Sequence, residues 1–182
     1  GGGGRWTKVR VNGPDDDRAY YVLPTRSELY VLSGARNDAW GNKFYPLTFH
    51  RLSNDQWQTV TNYDFRDAVR ITQSPTYSDE FYVSTWGYGV VVYRDGQVLE
   101  RYSPDNSSLK TIIPGDFCRI GGVTFDAKGN LWVANAGVPK PISVRTTDGA
   151  WASFPYENMI SSQRLSDIVL APNGYLWVVI PS

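Results

Sequence analysis

Apolar and polar residues alternate along the chain in short runs, and the runs are broken by Gly, Asn, Asp and Pro. Alternation with a period of two predicts strands, and the breaks predict tight turns. Thr48-Phe-His-Arg-Leu52 is one example: Phe49 and Arg51 share one face, and His50 shares the other with Thr48 and Leu52. Three strand pairs are marked by their turns. They are Leu47–Val60 around Asn54-Asp55, Val90–Tyr102 around Arg94-Asp95-Gly96, and Ile142–Phe154 around Thr147-Asp148-Gly149. Asp-Gly between alternating apolar residues is the strongest short-range hairpin signal.

The hairpins repeat. Gly122–Ala134 and Asp167–Val179 each carry an apolar run, a Gly turn and then Leu-Trp-Val, with Trp132 and Trp177 spaced by 45 residues. Weaker copies end in Phe81-Tyr-Val-Ser84 and Leu29-Tyr-Val-Leu32, and a further strand pair follows each of the first three hairpins. Four strands per unit, over about 45 to 52 residues, is the period of a β-propeller blade. The chain is therefore expected to be all-β: a propeller segment of about three to four four-stranded antiparallel blades, part of a larger propeller. The expected divisions are 19–63, 68–104 and 121–156 as blades and 165–182 as the first strands of a further one. Residues 1–18 read as a linker or tag remnant, opening on four glycines, plus the last strand of a preceding blade at Arg5–Val11. An open stack of blades leaves edges to be covered by other blades of the parent chain.

Composition narrows the chemistry. Eighteen Lys and Arg balance eighteen Asp and Glu, which argues against a dedicated nucleic-acid binder. One Cys and one His exclude a disulfide framework, a zinc ribbon and any multi-His metal site. No apolar run is long enough to span a bilayer as a helix. Seven Trp and twelve Tyr, with many Gly and Pro, favour strands and turns.

The stretch Asp126-x-x-Gly129-Asn130-Leu131-Trp132-Val133 resembles the repeat of two-component-regulator-type propellers. Three further stretches, Phe81–Val90, Tyr102–Leu109 and Pro141–Phe154, taken in order, resemble the PorZ-type propellers of the type IX secretion system. The resemblance covers about residues 19–180. It implies a protein of two propellers and a C-terminal sandwich at the outer-membrane cell surface. It further implies a sortase-like PorU-type partner and an association with anionic lipopolysaccharide. Two other classes share the blade motif: periplasmic oligosaccharide sensors of hybrid two-component systems, and propeller lyases or lactonases.

No nucleophile or acid–base constellation stands out, so a non-catalytic module without cofactor or metal is expected. Ser107-x-x-Lys110 lacks the companion motifs of a serine acyl-enzyme. His50 lies outside a Gly-Asn-Leu-Trp-Val strand, which counts against a lyase. Asp15-Asp16-Asp17 are adjacent rather than spaced as calcium ligands, and read as a solvated acidic turn. Cys118 reads as an inert, partly buried thiol. Trp132 and Trp177 are expected to pack between blades. Trp86, in Ser84-Thr-Trp-Gly-Tyr-Gly89, reads as following its strand into a loop where an aromatic can stack on a sugar. Arg66, Arg70, Arg119, Arg145 and Arg164 recur near blade starts and loops, where guanidinium forks suit phosphate or carboxylate groups. The candidate ligand-binding set is Trp86, Tyr88, Asn135, Arg119 and Arg145.

Overall fold

A computed structural model describes residues 12–34, 36–156 and 164–181. The strand expected at residues 5–11 lies outside the described residues. Among the described residues, all fourteen elements are β-strands paired antiparallel. The first sheet runs β1 (Tyr21–Pro24), β2 (Glu28–Leu32), β3 (Pro46–Ser53), β4 (Gln56–Arg66), in that spatial order. The next four, β5 (Ala68–Gln73), β6 (Glu80–Gly87), β7 (Val90–Arg94) and β8 (Gln97–Tyr102), also pair in sequence. So do β9 (Cys118–Phe125), β10 (Leu131–Asn135), β11 (Ile142–Arg145) and β12 (Trp151–Phe154). β13 (Asp167–Leu170) and β14 (Leu176–Val179) form a lone hairpin. This is the all-β, four-strand meander of propeller blades, and its sheets curl around the inner strands β1, β5, β9 and β13.

The core lies in the wedges between neighbouring sheets. Tyr30, Phe49, Phe81 and Tyr93 fill the first wedge, with Tyr30 and Phe81 ring centroids 4.3 Å apart. Val90, Val92, Ile120, Val133 and Leu131 fill the second. Trp86, Ala134, Leu165 and Ile168 fill the third, with Trp132 and Leu176 packed against them. Each buried aliphatic or aromatic side chain contributes on the order of 1.5–3 kcal/mol, so the wedges carry most of the stability. Trp132 packs there as expected, stacked on Phe154 at 6.2 Å. Trp177 does not: it is 63% exposed, because Val169, Trp177 and Val179 share the face of the last hairpin that no described residue covers.

The repeat motif has a physical cause. Asp126 Oδ1 accepts the Lys128 and Asn130 backbone N–H groups at 2.9 Å each. Its Oδ2 accepts Asn130 Nδ2 at 2.8 Å and the Trp132 indole N–H at 2.9 Å. One carboxylate thus closes the turn and aims the tryptophan, while Gly129 takes the left-handed conformation that the turn needs.

Candidate functional site

Antiparallel meandering sends alternate connections to opposite ends of the sheets. One end carries tight turns: 25–27, 54–55, 95–96, 126–130, 146–150 and 171–175. The other carries the long connections, including 33–45 and 103–117. Strained backbone also gathers at the long-loop end. Trp40, Phe44, Asp67 and Phe117 all have positive φ, between 56° and 65°. Left-handed backbone is costly for bulky residues and persists where surrounding structure over-determines it, a pattern typical of functional loops.

Asp67 organises this end. It is fully buried between β4 and β5. Its Oδ2 accepts Asn42 Nδ2 at 3.1 Å and the backbone N–H groups of Lys43 and Phe44 at 3.1 and 2.9 Å. Its Oδ1 accepts the Tyr45 N–H at 3.0 Å. The carboxylate is thereby consumed in holding the 42–45 loop. Asn42 then donates to the Trp86 carbonyl and accepts Arg119 Nη2 at 3.0 Å.

Trp86 is the centre of the arrangement. The structure corrects the sequence reading of this residue. It lies inside β6, which runs on past its pairing with β5 to pair with β9, Trp86 opposite Arg119 and Gly87 opposite Cys118. Its ring is 1% exposed, and its indole N–H donates to the Trp40 carbonyl at 2.8 Å. It therefore cannot present its face to a sugar. Instead it supports cations. The Arg36 guanidinium lies 4.7 Å from the Trp86 ring and 4.0 Å from the Trp40 ring, and that of Arg119 lies 5.3 Å from Trp86. Burial lowers the pKa of both arginines. Neither makes an ion pair among the described residues. Arg36 Nη1 and Arg119 Nε are buried with no hydrogen-bond partner.

The other candidates divide. Tyr88 sits two residues beyond Trp86, half-buried, edge-on to Phe65 at 6.1 Å. With Gly87, Arg101, Ser103, Asp105 and Phe117 it lines an open cleft of about 480 Å³ at the same end. Asn135 is fully buried, and its amide is spent internally. Its Oδ1 accepts the Lys110 N–H at 2.7 Å, and its Nδ2 donates to the Lys110 and Arg119 carbonyls at 3.1 and 3.0 Å. It is a clamp between the 103–117 loop and β9, with nothing left for a ligand. Arg145 lies at the tight-turn end, 5.3 Å from the Tyr102 ring. Arg70 is paired with Asp167 at 2.9 Å between inner strands. The recurring arginines therefore do not form one surface, and Arg36 and Asn42, which complete the cluster, were not singled out by the sequence. A signal was present: Gly34-x-Arg36 opens the long connection between β2 and β3.

The groups weighed for catalysis are locked. His50 is 1% exposed, with Nε2 at 2.8 Å from Ser33 Oγ and Nδ1 at 2.9 Å from Thr59 Oγ1, and burial lowers its pKa. Cys118 is buried, which pushes its thiol up to about 12. Asp16 is held by Arg18 at 2.6 Å. Among the described residues, no group of three or more His, Cys, Asp and Glu could hold a metal ion.

No protein-family model and no curated protein matches the chain. Solved structures do. The chain is 28% identical to PorZ, an essential bacterial surface component of the type IX secretion system of Porphyromonas gingivalis, with a TM-score of 0.78. That match covers 94% of this chain and 24% of the other. The extracellular domain of a hybrid two-component system from B. thetaiotaomicron matches with a TM-score of 0.60 at 14% identity, over 93% of this chain and 21% of that one. Virginiamycin B lyase from Staphylococcus aureus matches with a TM-score of 0.61 at 14% identity, over 90% and 50%. The last two show the fold alone. The chain thus spans about a quarter of the length of the PorZ structure it resembles, and in fold it is a PorZ-like propeller segment.

Proposed function

We propose that this chain is a non-catalytic propeller module of a PorZ-like surface component of type IX secretion. In this reading further blades of the parent chain complete the propeller. The long-loop end recognises an anionic lipopolysaccharide or glycan, and the rigid blades present it to a sortase-like PorU-type partner at the outer membrane. The observation that carries the reading is the likeness to PorZ over nearly the whole chain. The open cleft at the long-loop end, lined by Tyr88, Arg101, Ser103 and Asp105, is where such a ligand would sit in this reading.

The competing sensor reading shares its blade fold with the two-component neighbours and predicts an oligosaccharide ligand. The lyase reading needs an accessible base. His50, the one histidine of the chain, is sealed between two hydroxyls.

The experiment is a binding measurement on the purified chain. One immobilised lipopolysaccharide carries a phosphorylated or uronic-acid polysaccharide, and the other carries a neutral one. Saturable binding to the anionic form that weakens with added salt supports the reading. Equal binding to both, or to neither, overturns it.

A further inference from the structure

We propose that the cleft between Tyr88 and the 103–117 loop is a binding site for one pyranose ring, held against the Tyr88 and Phe117 side chains. The inference rests on the reading above only in placing glycan recognition at the long-loop end.

The cleft has the size and the lining for a sugar. Its volume of about 480 Å³ falls within the range of small-ligand sites. A pyranose ring carries an apolar C–H face and a girdle of hydroxyls that donate and accept. Tyr88 and Phe117, both part-exposed, supply aromatic surface for the face. Asp105 and Asp116, both exposed, and the Arg101 guanidinium supply acceptors and donors for the hydroxyls. Arg101 is the one cation in the lining and sits 3.6 Å from Asp105, so ring and hydrogen-bonding surface, more than charge, define what the cleft holds. Each ring in the lining is braced by a second ring from another segment. Tyr88 meets Phe65 at 6.1 Å, and Phe117 meets Phe44 at 6.3 Å. Packing alone does not account for the second pair. Phe117 and Phe44 both hold left-handed backbone, at φ of 56° and 60°, and Phe44 is 55% exposed. Strained backbone that leaves a phenyl ring half in water is unfavourable twice over, and such strain gathers at ligand clamps. The walls are also pre-organised. Asn106 Nδ2 donates to the Arg101 carbonyl and its Oδ1 accepts the Ser103 N–H, both at 2.9 Å, while the Gly89 N–H ties the Tyr88 side to the Cys118 carbonyl at 3.0 Å.

The test uses the whole chain on an array of immobilised pyranose mono- and oligosaccharides, neutral and acidic. At least one is expected to bind saturably. In solution NMR the C–H protons of that sugar should receive saturation from the aromatic protons of wild type. Tyr88→Ala and Phe117→Gly should each weaken its binding by about tenfold or more, from loss of ring contact. Tyr88→Phe, which keeps the ring, should bind like wild type. Tyr77→Ala, which removes an exposed ring from the β5–β6 turn at the opposite end, should leave binding unchanged.

A second readout separates binding from packing. Glycine takes left-handed backbone without strain, so Phe117→Gly should lose binding while keeping the Tm of wild type. If the rings serve only the fold, no sugar on the array binds, or both ring-removing variants bind it as tightly as wild type. Either result overturns the proposal. The saturation transfer is read on wild type and does not depend on any variant folding: a bound sugar that receives none from aromatic protons overturns the proposal as well. Failure of the site and failure of the functional reading are distinguishable. Sugar bound through Tyr88 and Phe117, with no preference for the anionic lipopolysaccharide over the neutral one, keeps the site and sinks the reading. Salt-sensitive binding of the anionic lipopolysaccharide that survives both substitutions does the reverse.

Discussion

Single residues at the long-loop end do structural work that their chemistry conceals. Asn135 looks like an exposed strand-end amide, but its side chain joins two segments through three hydrogen bonds. Asn135→Ala leaves buried backbone groups without partners and should cost about 2–4 kcal/mol, read as a lower denaturant midpoint. His50 is held neutral by burial, so its folded pKa lies below the ordinary value. Stability from that state is present above the unfolded pKa and is lost as the pH falls through and below roughly 6.5. Denaturation midpoints between pH 7 and 5 should show the loss, and His50→Gln should flatten it. At the alkaline side, burial pushes Cys118, Tyr93 and Tyr102 up to about 12. Their neutral forms stabilise the fold fully below the unfolded values, roughly 8.5 to 10, and that stability is lost as pH rises toward 12. A thiol reagent at pH 8 should label Cys118 only after unfolding.

At the scale of elements, the turn before Trp132 explains both the repeat and its variation. Burial alone would raise the Asp126 pKa, but the hydrogen bonds from Trp132, Asn130 and the turn backbone outweigh it and leave it lowered. In the last hairpin Ala171 stands where Asp126 stands, and Trp177 has no carboxylate to hold its indole. Asp126→Ala should therefore lower stability by about 1–3 kcal/mol, while Ala171→Asp should raise it by about 0.5–1.5 kcal/mol. Chemical denaturation of both variants checks the pair. Opposite signs support the turn-closing role, and equal signs refute it. This element was legible in the sequence because every partner lies within six residues. β6 was misjudged for the converse reason. The glycines around Trp86 signal a loop locally, yet pairing with β9, more than thirty residues away, extends the strand through Trp86.

In the whole molecule, segments of neighbouring sheets approach one another backbone to backbone. A methyl group on Gly34 would meet the Ala68 carbonyl oxygen at 1.9 Å, and one on Gly121 would meet that of Leu165 at 2.2 Å. Gly121→Ala must push β13 away from β9. It should cost upward of about 2 kcal/mol and quench the protection of β13 amides in hydrogen exchange before those of β6. What the sequence determined by itself is the unit: alternation, turn residues and a near-50-residue repeat are local signals, and local signals survive without knowledge of neighbours. The all-β propeller class follows from that, and the ordered stretches Phe81–Val90, Tyr102–Leu109 and Pro141–Phe154 carry the resemblance to PorZ-type blades. What only the tertiary structure decided is which side chains meet. Arg36, Asn42, Trp86 and Arg119 come from four separate segments, brought to one end by the direction of the strands and the curl of the sheets. Asn135 and Arg145, equally plausible as letters, are assigned to a buried clamp and to the opposite end. Burial and charge compensation depend on those meetings, which join residues far apart in the sequence.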